Sequence, residues 1–282
     1  MIHTEDTATE RQSSKFDYQV EQVRLLTPEG QETRFFGNRR VDTQEVFASV
    51  TDQYEIVQNE VLFATAEKLF GQKSMTDYKR KIVVTNGGAR ARAIYDFPNI
   101  GAKIGNQDVT FRLKVQNSFD GSLRASFQVG LVRLICSNGL AVPVNTLNVT
   151  KKHTSNIQEE FVGRALDSAI NSFHNALPAF EQMARISVSP KDGETIMLNF
   201  VKAKDISERM ATEVLKIWTN PTYHEDRERN LWNLYNATTQ HLTHEVEGKR
   251  FELAEKVNTR IMSAFVKSAR NNSLSPLLVS LN

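Results

Sequence analysis

The chain has a single cysteine, Cys136, set in an apolar run from Leu131. One thiol excludes an intrachain disulfide framework and a cysteine-based zinc site, and it fits a reducing compartment. Its apolar neighbours predict an inert buried thiol rather than a nucleophile. No stretch approaches the ~20 apolar residues that a membrane-crossing helix needs. The N-terminus, Met1 to Glu10, is polar and acidic where a secretory leader is basic and then apolar. The expectation is an intracellular protein with no membrane contact. Also missing are a phosphate-cradling G-x-x-x-x-G-K, a nucleophile-elbow G-x-S-x-G and a dinucleotide-binding glycine pattern, so no small-molecule cofactor is expected.

An excess of one charge is missing too, since 35 Lys and Arg against 33 Asp and Glu leave a net +2. The balance hides an uneven distribution. Residues 1–76 hold 8 basic against 13 acidic side chains, residues 77–150 hold 10 against 4, and the rest is close to neutral. The aromatic share, 9%, is too high for a chain that stays unfolded.

Residues 1–15 lack periodicity and read as a mobile tail. From Phe16 to residue 76 a strand and helix segment follows, with turns at Pro28-Glu29-Gly30 and Gly37-Asn38. A helix is expected around Val46, Phe47 and Val50, capped by Asp42 or Thr43, and another over Asn59 to Phe70. Residues 77–150 alternate at period two between glycine-containing turns. Strands are read at Tyr78–Thr85, Arg90–Phe97, Val109–Asn117, Leu123–Cys136 and Leu140–Leu147, with a bulge near Gly130. Beyond Lys152 the period becomes helical, and Ile157, Phe161, Ala165, Ala169, Phe173, Ala176 and Phe180 form a stripe that Pro178 kinks or ends. A β-turn at Pro190 to Gly193 precedes helices near Asp205–Trp218, Glu225–Glu245 and Lys249–Asn271, with Asp205 and Glu208 as a capping box. The fold class is α+β: a central antiparallel meander of about five strands, packed against N-terminal and C-terminal helices, with 16–271 as one compact domain.

The central chemical feature is the set Lys79, Lys81, Arg90, Arg92, Arg112, Lys114 and Arg124. Alternation on the third strand puts Val109, Phe111, Leu113 and Val115 on one face and Arg112 and Lys114 on the other. If the strands form one meander, its cations share the open face, and such a face attracts phosphates. The plain alternative is a solvated sheet face whose cations pair with the acidic N-terminal segment. Among aromatics that could stack on bases, Tyr95 and Phe97 belong to strands and so to the core, while Phe119 sits in a predicted turn. His241 and His244, three apart on a helix, have metal-ligand spacing but read as helix contacts, and His153 and His174 have no readable partner. Asp96, Asp108 and Asp120 could hold a divalent ion for nuclease chemistry, although each lies beside a turn, where aspartate serves backbone conformation.

Asn117-Ser118-Phe119-Asp120-Gly121-Ser122, followed by Val132-Arg133-Leu134-Ile135-Cys136-Ser137-Asn138-Gly139-Leu140, carries a resemblance. So do Tyr54-Glu55-Ile56-Val57-Gln58-Asn59 and the segment from Leu231 to His244. With these segments the chain resembles the phage/plasmid-like proteins of domain-of-unknown-function family 932. It carries Phe119 where that pattern has His, which weakens an acid–base role for the position. The resemblance implies a protein of phages or plasmids working in the bacterial cytoplasm, and it favours DNA transactions. The resulting expectation is a non-enzymatic nucleic-acid-binding protein, with single-stranded DNA as partner, acting as a homo-oligomeric recombination mediator of the strand-annealing type. The rivals are a module that occupies a host or defence protein and a metal-dependent nuclease.

Overall fold

The computed structural model describes residues 16–123, 125–133, 139–141, 155–244 and 251–279. The tail expected over 1–15, Arg124, Cys136 and His153 lie outside them. The fold is α+β, with a three-stranded sheet in the order β1-β2-β3 and a five-stranded sheet in the order β4-β5-β6-β7-β8. The second sheet is the expected meander; the first forms in the strand-like segment read from Phe16 onward, though its closure into a separate sheet was not foreseen. The chain divides into two compact units. The first holds Met1–Phe97, Leu113–Gln128 and Asn145–Ile170, and the second Pro98–Arg112, Val129–Val144 and Asn171–Asn282.

In the first unit, β1 (Val20–Leu26) and β2 (Glu32–Arg40) form an antiparallel hairpin around the expected turn at Pro28 to Gly30. β2 then pairs with β3 (Val46–Val50). Two expectations are corrected here. Gly37-Asn38 is not a turn but the middle of β2. A Cβ on Gly37 would meet Val46 at 3.0 Å and Leu25 at 3.1 Å, so glycine allows close packing within the sheet. Buried Asn38 donates from Nδ2 to the Phe119 carbonyl at 2.7 Å. The segment Val46 to Val50 is a strand rather than a helix, because β-branched residues beside a waiting strand gain a ladder that a single helical turn cannot match.

Helix α1 (Asn59–Gln72) follows as expected and buries Leu62, Phe63, Ala66, Leu69 and Phe70. Phe70 meets Tyr95 and Phe97 edge-on, with ring centroids 4.9 and 5.2 Å apart. These aromatics lie on one face of β5 (Arg90–Ile104), which runs on past the expected end at Phe97. β4 (Lys79–Thr85) pairs with β5 in continuous antiparallel register from Lys79↔Asp96 to Thr85↔Arg90.

The second unit holds the Gly105-Asn106 turn between β5 and β6 (Gln107–Ser118), the end of β7 (Ser126–Arg133), and β8 (Gly139–Ala141). Gly130, Leu131 and Val132 pair in register with Ala141, Leu140 and Gly139. The slipped alternation near Gly130 comes from burial on both faces, as Val129, Leu131 and Val132 are all buried. Helix α2 (Ser155–Arg185) passes through Pro178 without ending, with the proline exposed.

Pro190 to Gly193 is not a β-turn but the first turn of α3 (Pro190–Lys202). Ser189 caps it by accepting from the Asp192 amide at 3.1 Å, and Pro190 takes the first position, where no N–H is needed. Likewise Ser207, not Asp205, caps α4 (Glu208–Thr219), accepting from Met210 N–H at 3.2 Å. Helices α5 (Leu231–His244), α6 (Phe251–Arg270) and α7 (Ser275–Leu278) complete the unit. Every residue of α5 from Leu231 to Thr239 is buried. Among the described residues, no helix is long and apolar enough to cross a membrane.

Candidate nucleic-acid interface

In an antiparallel ladder, directly opposed residues project to the same side. The β4–β5 register therefore puts Lys79, Lys81, Val83 and Thr85 on one face with Asp96, Ile94, Arg92 and Arg90. The opposite face carries Ala91, Ala93, Tyr95 and Phe97, all buried. On β6, Asn117 points to the core side, where its Nδ2 donates to the Val57 carbonyl at 2.6 Å and to Asn59 Oδ1 at 3.0 Å. Lys114 and Gln116 thus take the basic side, and Arg92 Nε reaches Gln116 Oε1 at 3.4 Å. Arg112 stands two residues before Lys114 in the same alternation and ends the second unit's share of β6.

The cations differ in what they can reach. Lys79 and Lys81 are exposed; Arg112 and Lys114 are half-buried. Arg92 is buried, and with Gln116 and Ser126, joined by a 2.9 Å hydrogen bond, it forms a polar floor rather than a surface contact. Arg90 donates from Nε to Asp120 Oδ2 at 2.8 Å.

Two expected residues take other roles. Phe119 is not an exposed turn aromatic; it is fully buried, with centroids 6.0 Å from both Tyr18 and Phe47. Its backbone explains the placement, because the Phe119 N–H donates to the Ala89 carbonyl at 2.7 Å and pulls the side chain inward. Asp120 is the post of a clamp. Its carboxylate accepts from Arg90, from Asn86 Nδ2 at 3.0 Å, from the Ser122 amide at 3.0 Å and from the Ser122 hydroxyl. Burial pushes this carboxyl up, but the Ser122 hydrogen bonds and the Arg90 guanidinium outweigh it and hold it below the usual carboxylate range. Burial and the Asp120 charge push the neighbouring Tyr54 hydroxyl up to about 12.

Asp96 and Asp120 do not converge. Asp120 is bonded to Arg90, whereas Asp96 lies six residues along the same strand, about 20 Å away at the usual strand rise. Asp108 belongs to the second unit. Among the described residues no three His, Cys, Asp or Glu side chains group to hold a metal. His241 is buried on α5, and His174 is exposed beside Phe173.

Periodicity gave no hint of a buried polar network in the second unit. The Arg133 guanidinium, fully buried, meets Asp226 at 2.8 and 3.2 Å. Gln107 Nε2 donates to Asp226 Oδ1 at 3.2 Å and Asn233 Oδ1 at 2.9 Å, while its Oε1 accepts from Trp232 Nε1 at 2.7 Å and Asn236 Nδ2 at 3.0 Å. Burial raises the Asp226 carboxyl against the pull of Arg133 and Gln107. The only sequence signal for this cluster is a helix whose asparagines recur at Asn230, Asn233 and Asn236 among large apolar residues.

Residues 46–273 match the family model described as domain of unknown function DUF932. The chain belongs to that family. No curated protein and no solved structure matches it. In this DUF932 chain, several residues of the matched region hold the fold together: Asn117 ties β6 to α1, Asp120 closes the clamp, and Trp232, Asn233 and Asn236 seat the Gln107 network.

Proposed function

We propose that the chain is a non-enzymatic nucleic-acid-binding protein of a phage or plasmid, a mediator of strand annealing, and that the basic side of β4 to β6 is its binding surface. The observation that supports this most is the β4–β5 register, which gathers Lys79, Lys81, Arg90 and Arg92 on the side opposite the aromatic core. Lys79 and Lys81 grip phosphates, Lys114 extends the positive field, and Arg90 and Arg92 shape the surface from within.

The test is binding of a fluorescently labelled single-stranded oligonucleotide across a salt series. Two lysine–phosphate contacts give a slope of about −1.4 in log affinity against log salt. Micromolar or tighter binding with a flat salt response would overturn the phosphate-gripping surface, as would no binding at low salt.

A second reading, a protein-interaction module, is favoured by the outer face of the three-stranded sheet. There Val23, Leu25, Phe35 and Val46 surround Gly37, with Phe35 37% and Val46 47% exposed. This reading predicts partner binding that survives charge reversal of Arg112 and Lys114 and is lost in Val46→Lys.

A further inference from the structure

The basic side of β4 and β5 is not uniformly charged. Ile94 stands directly opposite Lys81, and Val83 directly opposite Arg92, so two aliphatic side chains interleave with the cations. Both are half-buried, with part of their surface open to solvent beside the exposed Lys79 and Lys81. A face built to meet phosphates alone gains nothing from aliphatic groups there, because each would take the place of water around a charged oxygen.

A duplex keeps its base faces stacked inside and shows a sheet face little besides phosphate and sugar. A five-stranded sheet, with strands about 4.8 Å apart, is also too broad to enter a groove about 12 Å wide. An unpaired strand can turn its bases toward the sheet and leave its phosphates at the lysines.

Resting on the nucleic-acid reading above, we infer that Val83 and Ile94 are base-contacting residues that make this face selective for unpaired nucleic acid. Spacing along β4 fits this division. Lys79 and Lys81 hold the backbone at the outer end of the strand, and Val83 lies two residues further in on the same side, next to Ile94 on β5. The described part of this surface lacks a stacking aromatic, since Tyr95 and Phe97 face α1 and Phe119 is in its own cluster. Aliphatic contact without hydrogen-bonding partners tolerates any base, so little sequence preference is expected.

The experiment measures the full chain against oligothymidine and a mixed-sequence duplex of equal length, by anisotropy over a salt series. Val83→Thr/Ile94→Thr, which keeps β-branching, is compared with Lys79→Gln/Lys81→Gln. Expected is preference for oligothymidine, an approximately tenfold loss for the threonine pair with its salt slope unchanged, and for the glutamine pair a shallower slope on both ligands. Oligothymidine binding that the threonine pair leaves intact, or equal affinity for duplex, would overturn the inference while the nucleic-acid reading stands. No binding of either ligand by the unaltered chain would overturn that reading itself. Should the threonine pair fail to fold, photocrosslinking of the unaltered chain to 5-iodouracil DNA decides: adducts in the peptides holding Val83 or Ile94 support the inference, and adducts confined to other peptides overturn it.

Discussion

Asp120 shows how much one carboxylate can hold. It joins the loop after β6 to the turn after β4 through Asn86, Arg90 and Ser122. Because its folded pKa lies below its ordinary value near 3.8, the ionised form is favoured in the folded state. That contribution is fully present above the unfolded value and is lost as pH falls through the depressed folded value. Asp120→Asn should therefore flatten the acid limb of a melting-temperature-against-pH profile, with its largest deficit above pH ~5. Phe119→Ala empties a fully buried aromatic site and should cost about 3–5 kcal/mol in denaturant unfolding. Had Phe119 been an exposed stacking residue, the loss would fall on DNA affinity with stability untouched. Asp226→Ala leaves the buried Arg133 charge without its carboxylate and should cost about 3–5 kcal/mol. Arg133→Met/Asp226→Leu should recover much of that loss, because an apolar pair needs no compensation.

At the scale of elements, β4 occupies an outer position in its sheet, and Lys79, Arg80 and Lys81 are all exposed there. Consecutive cations on such a strand discourage pairing with another sheet, so their removal carries a second, separable consequence. Replacing Lys79 and Lys81 by Gln should reduce the salt slope by about 1 or more, read by titration. Light scattering without DNA would report any self-association. Helices α3 and α4 meet where Gly193 faces Trp218, and a Cβ there would stand 2.6 Å from the indole ring. Gly193→Ala should destabilise by about 1–3 kcal/mol, measured by thermal unfolding.

Period-two alternation made the meander legible, since β4 to β6 each have a core side and a polar side. It failed for Val46 to Val50, where the partner strand lies in sequence before a loop and local pattern cannot announce the pairing. The shared side of the cations was readable from alternation. Their differing burial was not, because Arg92 owes its cover to Gln116 and its other neighbours in the fold. The Gln107 network was illegible for the same reason: its members come from β6, β7, the turn at His224–Asp226 and α5, and only folding brings them together.

For the molecule as a whole, a net charge of +2 conceals the basic middle of the chain, so steering by the total field is weak and attraction is local to the sheet face. Mass measured by light scattering with and without single-stranded DNA should rise to a ring or filament under the annealing reading. A monomer indifferent to DNA would favour the protein-interaction reading. The family match begins at residue 46, and the fold does not. β3, which opens the matched region, has β2 as its only neighbour in the sheet among the described residues. Tyr18, which packs on Phe119, and Asn38, which donates to the Phe119 carbonyl, also precede residue 46. A chain trimmed to the family boundary would begin with an orphan strand and a solvent-opened phenylalanine pair. Recombinant work on this chain cut at residue 46 should thus meet insolubility that says nothing about its activity.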